Sequence, residues 1–314
     1  MFINSIAHYL PEQILTNEHF SKLIGLTEDD IFKKSGIKQR RVTGVGENTN
    51  TMSVKAAELL QHKIPFDIKD VDLIVGATYS PHDTVATLAH QLQHFFKIEN
   101  AQVVSVSTAC SSFVNAMEIV EGYFAMNKAS KALVVVSEHN TIYNDENNTY
   151  SGFLWGDGAA AMSVTKERFT EFDVEVIEIE TRGYAHFAKA MHAVNLRPLE
   201  DRIQMGDGKD VFINASKLMS SNTQSILEHN GFTIKDLTYL IPHQANMRII
   251  NKVGDLLGLH NGSVVTNIEY LGNTGSASSA IALSQTWDKL QKDNLAVVTV
   301  FGGGYSSGCM LLKK

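Results

Sequence analysis

The strongest constraint on the fold is a set of segments that occurs twice along the chain. The sequence I-K-D-V-D-L-I-V, which begins at Ile68, is matched by I-K-D-L-T-Y-L-I, which begins at Ile234. An apolar strand pattern that begins at Leu133 is matched by a second one that begins at Leu295. The two offsets, 166 and 162 residues, are nearly equal, which is typical of an internal duplication. The chain is therefore predicted to fold as two related halves.

Each half alternates short apolar strands with helical patterns. Residues 72–77 have the continuous apolar pattern of a buried strand, whereas residues 51–61 and 84–96 have helical periodicity. Strands that alternate with helices predict a mostly parallel sheet with helices on both faces. We place the first half at residues 1–165 and the second at residues 166–314.

A cysteine lies where a predicted strand gives way to a predicted helix. Residues 103–106 form the strand pattern, and Phe113, Ala116 and Met117 begin the apolar face of the helix. Cys110 is then close to the helix N-terminus, where unpaired N–H groups and the helix dipole favour a thiolate. The position is that of a nucleophile at a sharp turn. A buried, inert cysteine is the alternative.

Two helices are predicted to share the middle of the molecule. The helix after Cys110 and the helix after Asn273 are both rich in Ala, Ser and Gly, so they can pack closely between two sheets. This arrangement predicts a five-layer α/β/α/β/α sandwich. Ligand sites are expected near the strand ends where the halves meet.

Two further turns are expected to converge with the cysteine if the halves are related by a pseudo-dyad. His243 directly follows a predicted strand, and Asn273 lies in the turn L-G-N-T-G. A thiol, an imidazole and a carboxamide together could activate a thioester and stabilise negative charge on its oxygen. Alternatively, His243 caps the next helix, and Asn273 is a left-handed turn residue.

The composition excludes several classes of protein. The 314 residues are 44% hydrophobic and 19% charged, and the net charge of −7 argues against general nucleic-acid binding. No run of 18 apolar residues predicts a membrane span. The only two cysteines, Cys110 and Cys309, predict a protein of the reducing cytoplasm. His90 and His94 have the spacing of a metal pair, but a third ligand is not evident, so we expect no metal.

Four motifs resemble those of one enzyme family in the same order. They are A-C-S-S-F, P-H-Q-A-N-M-R-I-I, G-N-T-G-S-A-S and F-G-G-G-Y-S-S-G. With G-I-K-Q-R-R and W-G-D-G-A they cover nearly the whole chain, and they resemble the signature segments of β-ketoacyl-acyl-carrier-protein synthase III, in the thiolase superfamily. The resemblance implies a thiolase fold, a homodimer and no cofactor.

The resemblance also implies a reaction and its catalytic residues. Cys110 would take the acyl group from an acyl thioester, and a malonyl thioester on acyl-carrier protein would then enter. His243 and Asn273 would stabilise the enolate that remains when carbon dioxide leaves, and this enolate would attack the acyl group. The N–H groups of Cys110 and Gly303 would form the oxyanion hole. The product would be a β-ketoacyl thioester for fatty acid or polyketide-like biosynthesis.

The helix after His243 resembles the carrier-docking helix of the family. Its buried face is predicted to contain Leu256 together with Ile249, Ile250, Val253 and Leu257. Arg248 and Lys252, four residues apart, would share the exposed face. Since carrier proteins are acidic, these two cations would offset the repulsion from a negatively charged enzyme. An ordinary solvated face is the alternative.

The chain departs from the family where coenzyme A binds. A Trp and an Arg that hold the adenine align with Asp30 and Lys34, and a further nucleotide-contacting Arg aligns with Thr149. Stacking on the adenine is lost, and Asp30 would repel the 3′-phosphate. We therefore expect an acyl donor other than acetyl-coenzyme A, either carrier-bound or longer.

The acyl pocket is expected to differ as well. Val85 stands where many family members have a Phe that reaches across the dimer and shortens the pocket, so a deeper or differently shaped pocket is predicted.

Two other functions stay open. One is transfer of the Cys110 acyl group to an alcohol or amine, and the other is a non-catalytic subunit that shapes another synthase's pocket.

Overall fold

A computed structural model describes residues 1–198, 201–260 and 262–314. In this part of the chain one nine-stranded sheet is accompanied by two small two-stranded sheets. None of the described helices is long and apolar enough to cross a membrane.

The first half begins with a strand and contains seven strands and five helices among the described residues. The strands are β1 (Phe2–Tyr9), β2 (Gln13–Thr16), β3 (Gln39–Val42), β4 (Leu73–Ala77), β5 (Gln102–Val106), β6 (Lys131–His139) and β7 (Asp157–Thr165). The helices are α1 (Asn17–Ile24), α2 (Glu28–Ser35), α3 (Thr49–Gln61), α4 (Leu88–Phe96) and α5 (Ser112–Ala125).

The second half contains six strands and five helices in the described part of the chain. The strands are β8 (Val174–Gly183), β9 (Val194–Arg197), β10 (Asp201–Met205), β11 (Leu237–Pro242), β12 (Leu295–Gly302) and β13 (Ser306–Lys313). The helices are α6 (Ala190–Ala193), α7 (Gly208–His229), α8 (Met247–Leu257), α9 (Ile268–Leu271) and α10 (Ala277–Thr286).

The large sheet has the order β11-β12-β13-β8-β1-β7-β6-β4-β5. In the first half, β4 is parallel to β5 and β6, while β7 is antiparallel to β6 and β1. In the second half, β11 is parallel to β12, while β13 is antiparallel to β12 and β8. All strands but one therefore point the same way in each half. Because β1 and β8 also pair, at Phe2 and Ile3, the halves share one hydrogen-bonded sheet, not the two separate sheets expected.

Five layers follow from the packing of the helices. Helix α5 packs against β4 and β6 of the first half and β8 and β13 of the second, and α10 packs against β1 and β7 as well as β11 and β12. These two helices form the central layer. Helices α3 and α4 cover the outer face of the first half, and α7 covers that of the second. The predicted five-layer α/β fold is confirmed.

Small residues explain why the central helices pack so closely. All nine residues of β7, D-G-A-A-A-M-S-V-T, are buried. A Cβ added at Gly158 would lie 2.9 Å from Cδ1 of Ile281 in α10. A larger side chain at this position would push the helix away from the sheet.

Matching elements in the two halves agree with the repeated sequence. A short 3₁₀ helix with the sequence I-K-D precedes β4 (Ile68–Asp70) and another precedes β11 (Ile234–Asp236). Val264 forms a parallel bridge to Leu240 of β11. This bridge takes the place next to β11 that β5 takes next to β4 in the first half. The boundary between residues 165 and 166 stays a prediction; β7 ends at Thr165.

Three local predictions were wrong. The helix expected over 84–96 begins only at Leu88, because Asp83 accepts the N–H groups of Val85 and Ala86 in a turn. The sequence W-G-D-G at 155–158 predicts a tight turn, but Asp157 and Gly158 already belong to β7. The run of basic residues at 33–42 predicts a solvated face, but Arg40 within it is fully buried.

Helix α2 is held against the start of α8 by its last carbonyl groups. The Nη2 atom of Arg248 donates to the carbonyl oxygen of Lys33 over 2.8 Å, and Nδ2 of Asn246 donates to that of Lys34 over 3.1 Å. Gly36, which ends α2 at φ 77°, packs so closely that an added Cβ would lie 2.2 Å from Cβ of Met247. The contact therefore requires glycine both for its backbone conformation and for space.

We predict that Gly36→Ala lowers the free energy of unfolding by about 3 kcal/mol or more, since it combines left-handed strain with a steric clash. Gly25→Ala is the matched control, because Gly25 ends α1 at φ 71° with open space around the added Cβ. That variant should lose only about 1 kcal/mol. Urea denaturation measures both, and equal losses would contradict the proposed packing role of Gly36.

Candidate active site

Cys110 lies in a strained turn between β5 and α5. Ala109 has a φ of 49°, a conformation that is unusual for a residue with a Cβ and is found at functional turns. The N–H of Ser111 donates to the carbonyl oxygen of Thr108 over 3.2 Å, and helix α5 begins immediately afterwards at Ser112. The turn predicted from the sequence is thus present, with the cysteine at its apex.

The glycine-rich segment that follows β12 packs against this turn. A Cβ at Gly302 would lie 2.8 Å from the backbone N of Cys110 and 3.1 Å from that of Ser111, so only glycine fits there. The N–H groups of Gly303 and of Cys110 itself lie where they favour a negative charge on the sulfur, and so lower its pKa. Two backbone donors are therefore available beside the sulfur.

His243 directly follows β11 and is oriented by a serine. Its N–H donates to the carbonyl oxygen of Thr299, and its Nδ1 lies 2.7 Å from Oγ of Ser278. Because Oγ of Ser278 also accepts the N–H of Gln244 over 3.2 Å, its own hydrogen is free to donate to Nδ1. When Ser278 donates in this contact, the ring carries its proton on Nε2. His243 does not cap the next helix, since the N-cap of α8 is Asn246.

Asn273 is held in one amide orientation. Its Oδ1 accepts the N–H of Gly275 over 3.0 Å, so its Nδ2 is left to donate elsewhere. The backbone N–H of Asn273 donates to the carbonyl oxygen of Leu154. Left-handed φ angles occur at Gly272 and Gly275 but not at Asn273. The alternative of a left-handed turn residue is therefore excluded.

The three predicted side chains line one internal cavity of about 40 Å³. The rest of its wall is mostly apolar. Besides Cys110, His243 and Asn273, it is lined by Trp155, Val194, Met205, Val211, Ala215, Met219, Ala245, Ile249, Phe301, Gly302, Gly303 and Tyr305. Such a dry wall strengthens any hydrogen bond made inside.

Burial keeps both the thiol and the imidazole neutral. Burial and the carboxyl of Glu138 raise the pKa of Cys110 to about 12, although the N–H of Gly303 and the hydroxyl of Tyr79 favour the thiolate. Burial lowers the pKa of His243 to about 4. The thiolate expected from the helix N-terminus is therefore not formed in the free protein, because desolvation outweighs the dipole.

A buried carboxyl group ties the elements around the cavity together. Glu138 is fully buried at the end of β6, and burial raises its pKa to about 7. It accepts hydrogen bonds from the hydroxyl of Thr78 and the N–H of Tyr79. It also accepts from the N–H and hydroxyl of Ser80 and from the hydroxyl of Ser276, which directly precedes α10.

A larger cleft adjoins the cavity. Its volume is about 520 Å³, and it shares Met205, Val211, Ala245 and Ile249 with the cavity wall. The cleft therefore leads from the surface towards Cys110. Among its described lining residues are three cations and no acidic side chain. These cations are Lys34, Lys209 and Arg248.

Some of the predicted docking and substrate residues line this cleft, and others lie outside it. Arg248 lines it while its guanidinium holds the end of α2, and Lys252 is exposed one turn further along α8. Leu256 was expected on the buried face but is 51% exposed. Thr149 lines the cleft, whereas the carboxylate of Asp30 accepts the N–H and hydroxyl of Thr27 and so caps α2.

Val85 lies away from the cavity in a single chain. Its side chain is 83% exposed in the turn before α4, and it does not belong to the cavity wall. Its predicted part in the acyl pocket requires a second subunit and stays a prediction.

The matches to known proteins follow the same layout. Residues 104–183 match the family model of 3-oxoacyl-[acyl-carrier-protein] synthase III, and residues 227–314 match the model of its C-terminal part. The synthase III of Sulfurimonas denitrificans is 30% identical over 98% of this chain and 96% of its own. The chain belongs to the β-ketoacyl-acyl-carrier-protein synthase III family. The predicted family and enzyme class, an acyltransferase that makes β-ketoacyl thioesters by decarboxylating condensation, are confirmed.

Solved structures of this family have the same fold. The synthase III of Aquifex aeolicus superposes with a TM-score of 0.92 at 28% identity, over 100% of this chain and 99% of its own. The priming β-ketosynthase of the R1128 polyketide pathway superposes with a TM-score of 0.88 at 27% identity, over 99% and 95%. These matches confirm the thiolase fold.

Several residues at the site were not found by sequence reasoning. Trp155 lines the cavity, and Tyr79 contacts the thiol. Glu138 holds the turn after β4 and the turn before α10. Glu138 could have been noticed as a carboxyl at the end of the apolar strand pattern A-L-V-V-V-S-E, where burial of a charge calls for partners.

We predict that iodoacetamide alkylates Cys110 at a rate that rises about tenfold per pH unit from about pH 7 to 9, since the thiol pKa lies far above this range. The same slope is expected in His243→Ala, because the histidine is neutral. Peptide mass spectrometry follows the labelled cysteine, and Cys110→Ala controls for labelling of Cys309. A plateau below pH 9 would mean that a stable thiolate exists.

Proposed function

We propose that Cys110, His243 and Asn273 carry out the condensation of an acyl thioester with malonyl-acyl-carrier protein. One observation carries this assignment: a thiol, an imidazole with its proton on Nε2 and a carboxamide with a free Nδ2 line one cavity. Two donors at one oxygen suit an enolate, which needs hydrogen bonds and not a base.

In the first step, the sulfur of Cys110 bonds to the acyl carbon and the bond from that carbon to the donor's sulfur breaks. The tetrahedral oxyanion is stabilised by the N–H groups of Cys110 and Gly303. Because His243 is neutral and its Nδ1 is occupied by Ser278, the proton of the thiol leaves with the departing donor thiol. No stored thiolate is needed.

In the second step, the carbon–carbon bond to the malonyl carboxylate breaks and carbon dioxide leaves. The electron pair is delocalised onto the thioester oxygen, where Nε2 of His243 and Nδ2 of Asn273 donate to it. The enolate carbon then bonds to the acyl carbon and the sulfur of Cys110 departs as a thiolate, which takes up one proton from solvent after the product leaves. The dry cavity strengthens both donors and protects the enolate from water.

The properties of the cleft support its use as the entry route for the pantetheine arm of a carrier protein. A pantetheine arm ends in a phosphate, and Lys34, Lys209 and Arg248 offer positive charge along an otherwise apolar passage. Lys252 extends this charge outwards on α8. An acidic carrier protein would be attracted here in spite of the enzyme's net charge of −7.

We also propose that the acyl donor is carrier-bound and not acetyl-coenzyme A. At the aligned adenine positions, Asp30 caps α2 and Lys34 and Thr149 line the cleft. A flat ring that could stack on adenine is missing at these three positions. A carrier thioester needs no adenine site.

The proposed assembly is a homodimer in the cytoplasm. Strand β5 is the edge of the described sheet, directly before the Cys110 turn. Pairing of two such edges would continue the sheet and cover an edge that a single chain leaves open. It would also bring the exposed Val85 towards the partner.

The cytoplasm remains a prediction from the two cysteines and the thioester substrates.

We predict that His243→Ala and Asn273→Ala each retain acylation of Cys110 but lower carbon dioxide release from malonyl-carrier protein by about 10²–10³-fold. Intact-protein mass spectrometry reports the acyl enzyme, and labelled carbon dioxide reports decarboxylation. Cys110→Ala should gain no acyl mass.

The same pair of measurements tests the rival reaction. An enzyme that transfers the acyl group to an alcohol or amine would turn over without releasing carbon dioxide. Asn273→Ala would then leave its rate unchanged, which is the outcome that rules out the proposed role of Asn273.

We predict that Lys252→Glu lowers kcat/KM for malonyl-carrier protein about threefold to tenfold at low ionic strength, and less at high salt, because it removes attraction to an acidic partner. Turnover of malonyl-pantetheine should not change. Lys235→Glu is the control, since it makes the same charge change on an exposed residue at the opposite end of β11. Equal losses in the two variants would argue against docking at α8.

A further inference from the structure

Among the cavity residues to which the reaction steps above give no role, Trp155 has a buried N–H donor. It lies just before β7, and its backbone forms a parallel bridge with Asn273. The side chain is 2% exposed and lines the cavity together with Cys110 and His243. The indole is therefore next to the groups that would hold the acyl and malonyl units.

The indole N–H is a buried donor without a hydrogen-bond partner among the described residues. Polar groups of neighbouring segments are paired with one another: Tyr79 donates to Oδ1 of Asn140 over 2.6 Å, and Nδ2 of Asn140 donates to the carbonyl oxygen of Gly156 over 2.8 Å. Buried N–H groups nearly always have a partner. The open space against this ring is the cavity, so a bound group is what can provide the missing acceptor.

The oxygens of the two thioesters already have donors in the proposed function, on which this inference rests. The acyl oxygen faces the N–H groups of Cys110 and Gly303, and the malonyl thioester oxygen faces His243 and Asn273. A hydrogen bond from Trp155 to the malonyl carboxylate would stabilise the ground state and slow decarboxylation. The remaining place for an acceptor is the acyl chain itself.

We propose that the acyl group accepted by Cys110 carries an oxygen along its chain, and that this oxygen accepts a hydrogen bond from the indole N–H of Trp155. The preferred donor is then a thioester of a short hydroxy-, oxo- or alkoxyacyl group. A water-sized group occupies about 10–15 Å³ on the same measure, so the cavity of about 40 Å³ holds a short chain. Plain alkanoyl groups leave the indole donor unpaired.

Isosteric pairs of carrier-protein thioesters test the proposal. Methoxyacetyl and butanoyl differ only by oxygen in place of a methylene, and so do 3-methoxypropanoyl and pentanoyl. We expect the ether of at least one pair to acylate Cys110 about fivefold faster or more in direct competition, measured by intact-protein mass spectrometry. In Trp155→Phe, which keeps an aromatic ring but removes the donor, the two members of each pair should load equally.

Met219→Leu is the matched control, because it changes another residue of the same cavity wall and keeps the indole N–H of Trp155. It should keep the preference for the ether even if all rates change. Equal loading within both pairs in the wild type overturns the inference, as does a preference that survives in Trp155→Phe. Absence of any acyl group on Cys110, by contrast, would refute the proposed function itself.

A second measurement needs no variant. The chain has two tryptophans, Trp155 and Trp287, so an ¹⁵N-indole spectrum contains two side-chain signals. Acylation by the preferred ether should move the Trp155 N–H signal downfield relative to acylation by its alkanoyl isostere, while Trp287 stays unchanged. Identical Trp155 shifts for both acyl enzymes would contradict the hydrogen bond.

Discussion

The site depends on the burial of one carboxyl group, that of Glu138. Its oxygens accept from Thr78, Tyr79 and Ser80, which follow β4, and from Ser276, which directly precedes α10. Asn273 lies three residues before that serine. A single side chain therefore fixes the turn that carries Asn273 against the strand ends next to Cys110. The donors offset much of the cost of burying a carboxyl group, although burial still raises its pKa to about 7.

The same burial decides what kind of chemistry the cavity supports. Desolvation raises the pKa of Cys110 and lowers that of His243, so a thiolate–imidazolium pair is not available as a resting state. In return, neutral N–H donors act in an apolar wall where water does not compete. Ser278 matters for this reason: when it donates to Nδ1, the proton of His243 is on Nε2. Rigid donors aimed at developing charge suit a decarboxylating condensation better than a strong base would.

Much of the fold could be predicted because its signals are local. Segments of about ten to twenty residues encode the apolar strands, the small-residue central helices and the turns after strand ends. The repeat predicted that these elements form two related halves. The failures have distant causes. Arg40 was read as part of a charged face, yet its guanidinium reaches the carbonyl of Phe153 and stacks 4.3 Å from the ring of Phe20. The start of α4 was misplaced because the carboxylate of Asp83 binds two N–H groups that helical periodicity does not reveal. Trp155 and Tyr79 were missed because only the packed structure shows which apolar positions face the thiol.

The duplicated fold explains why the proposed catalytic groups come from two turns that look alike. In the first half, the turn into a central helix carries the thiol of Cys110; in the second half, the turn into the other central helix carries the carboxamide of Asn273. Since α5 and α10 share the middle layer, both turns open at the same place. A condensation needs a group that holds one carbon unit and another that stabilises the partner unit at bonding distance. Two copies of one turn, each leading into a helix of the middle layer, provide that arrangement once their side chains diverge.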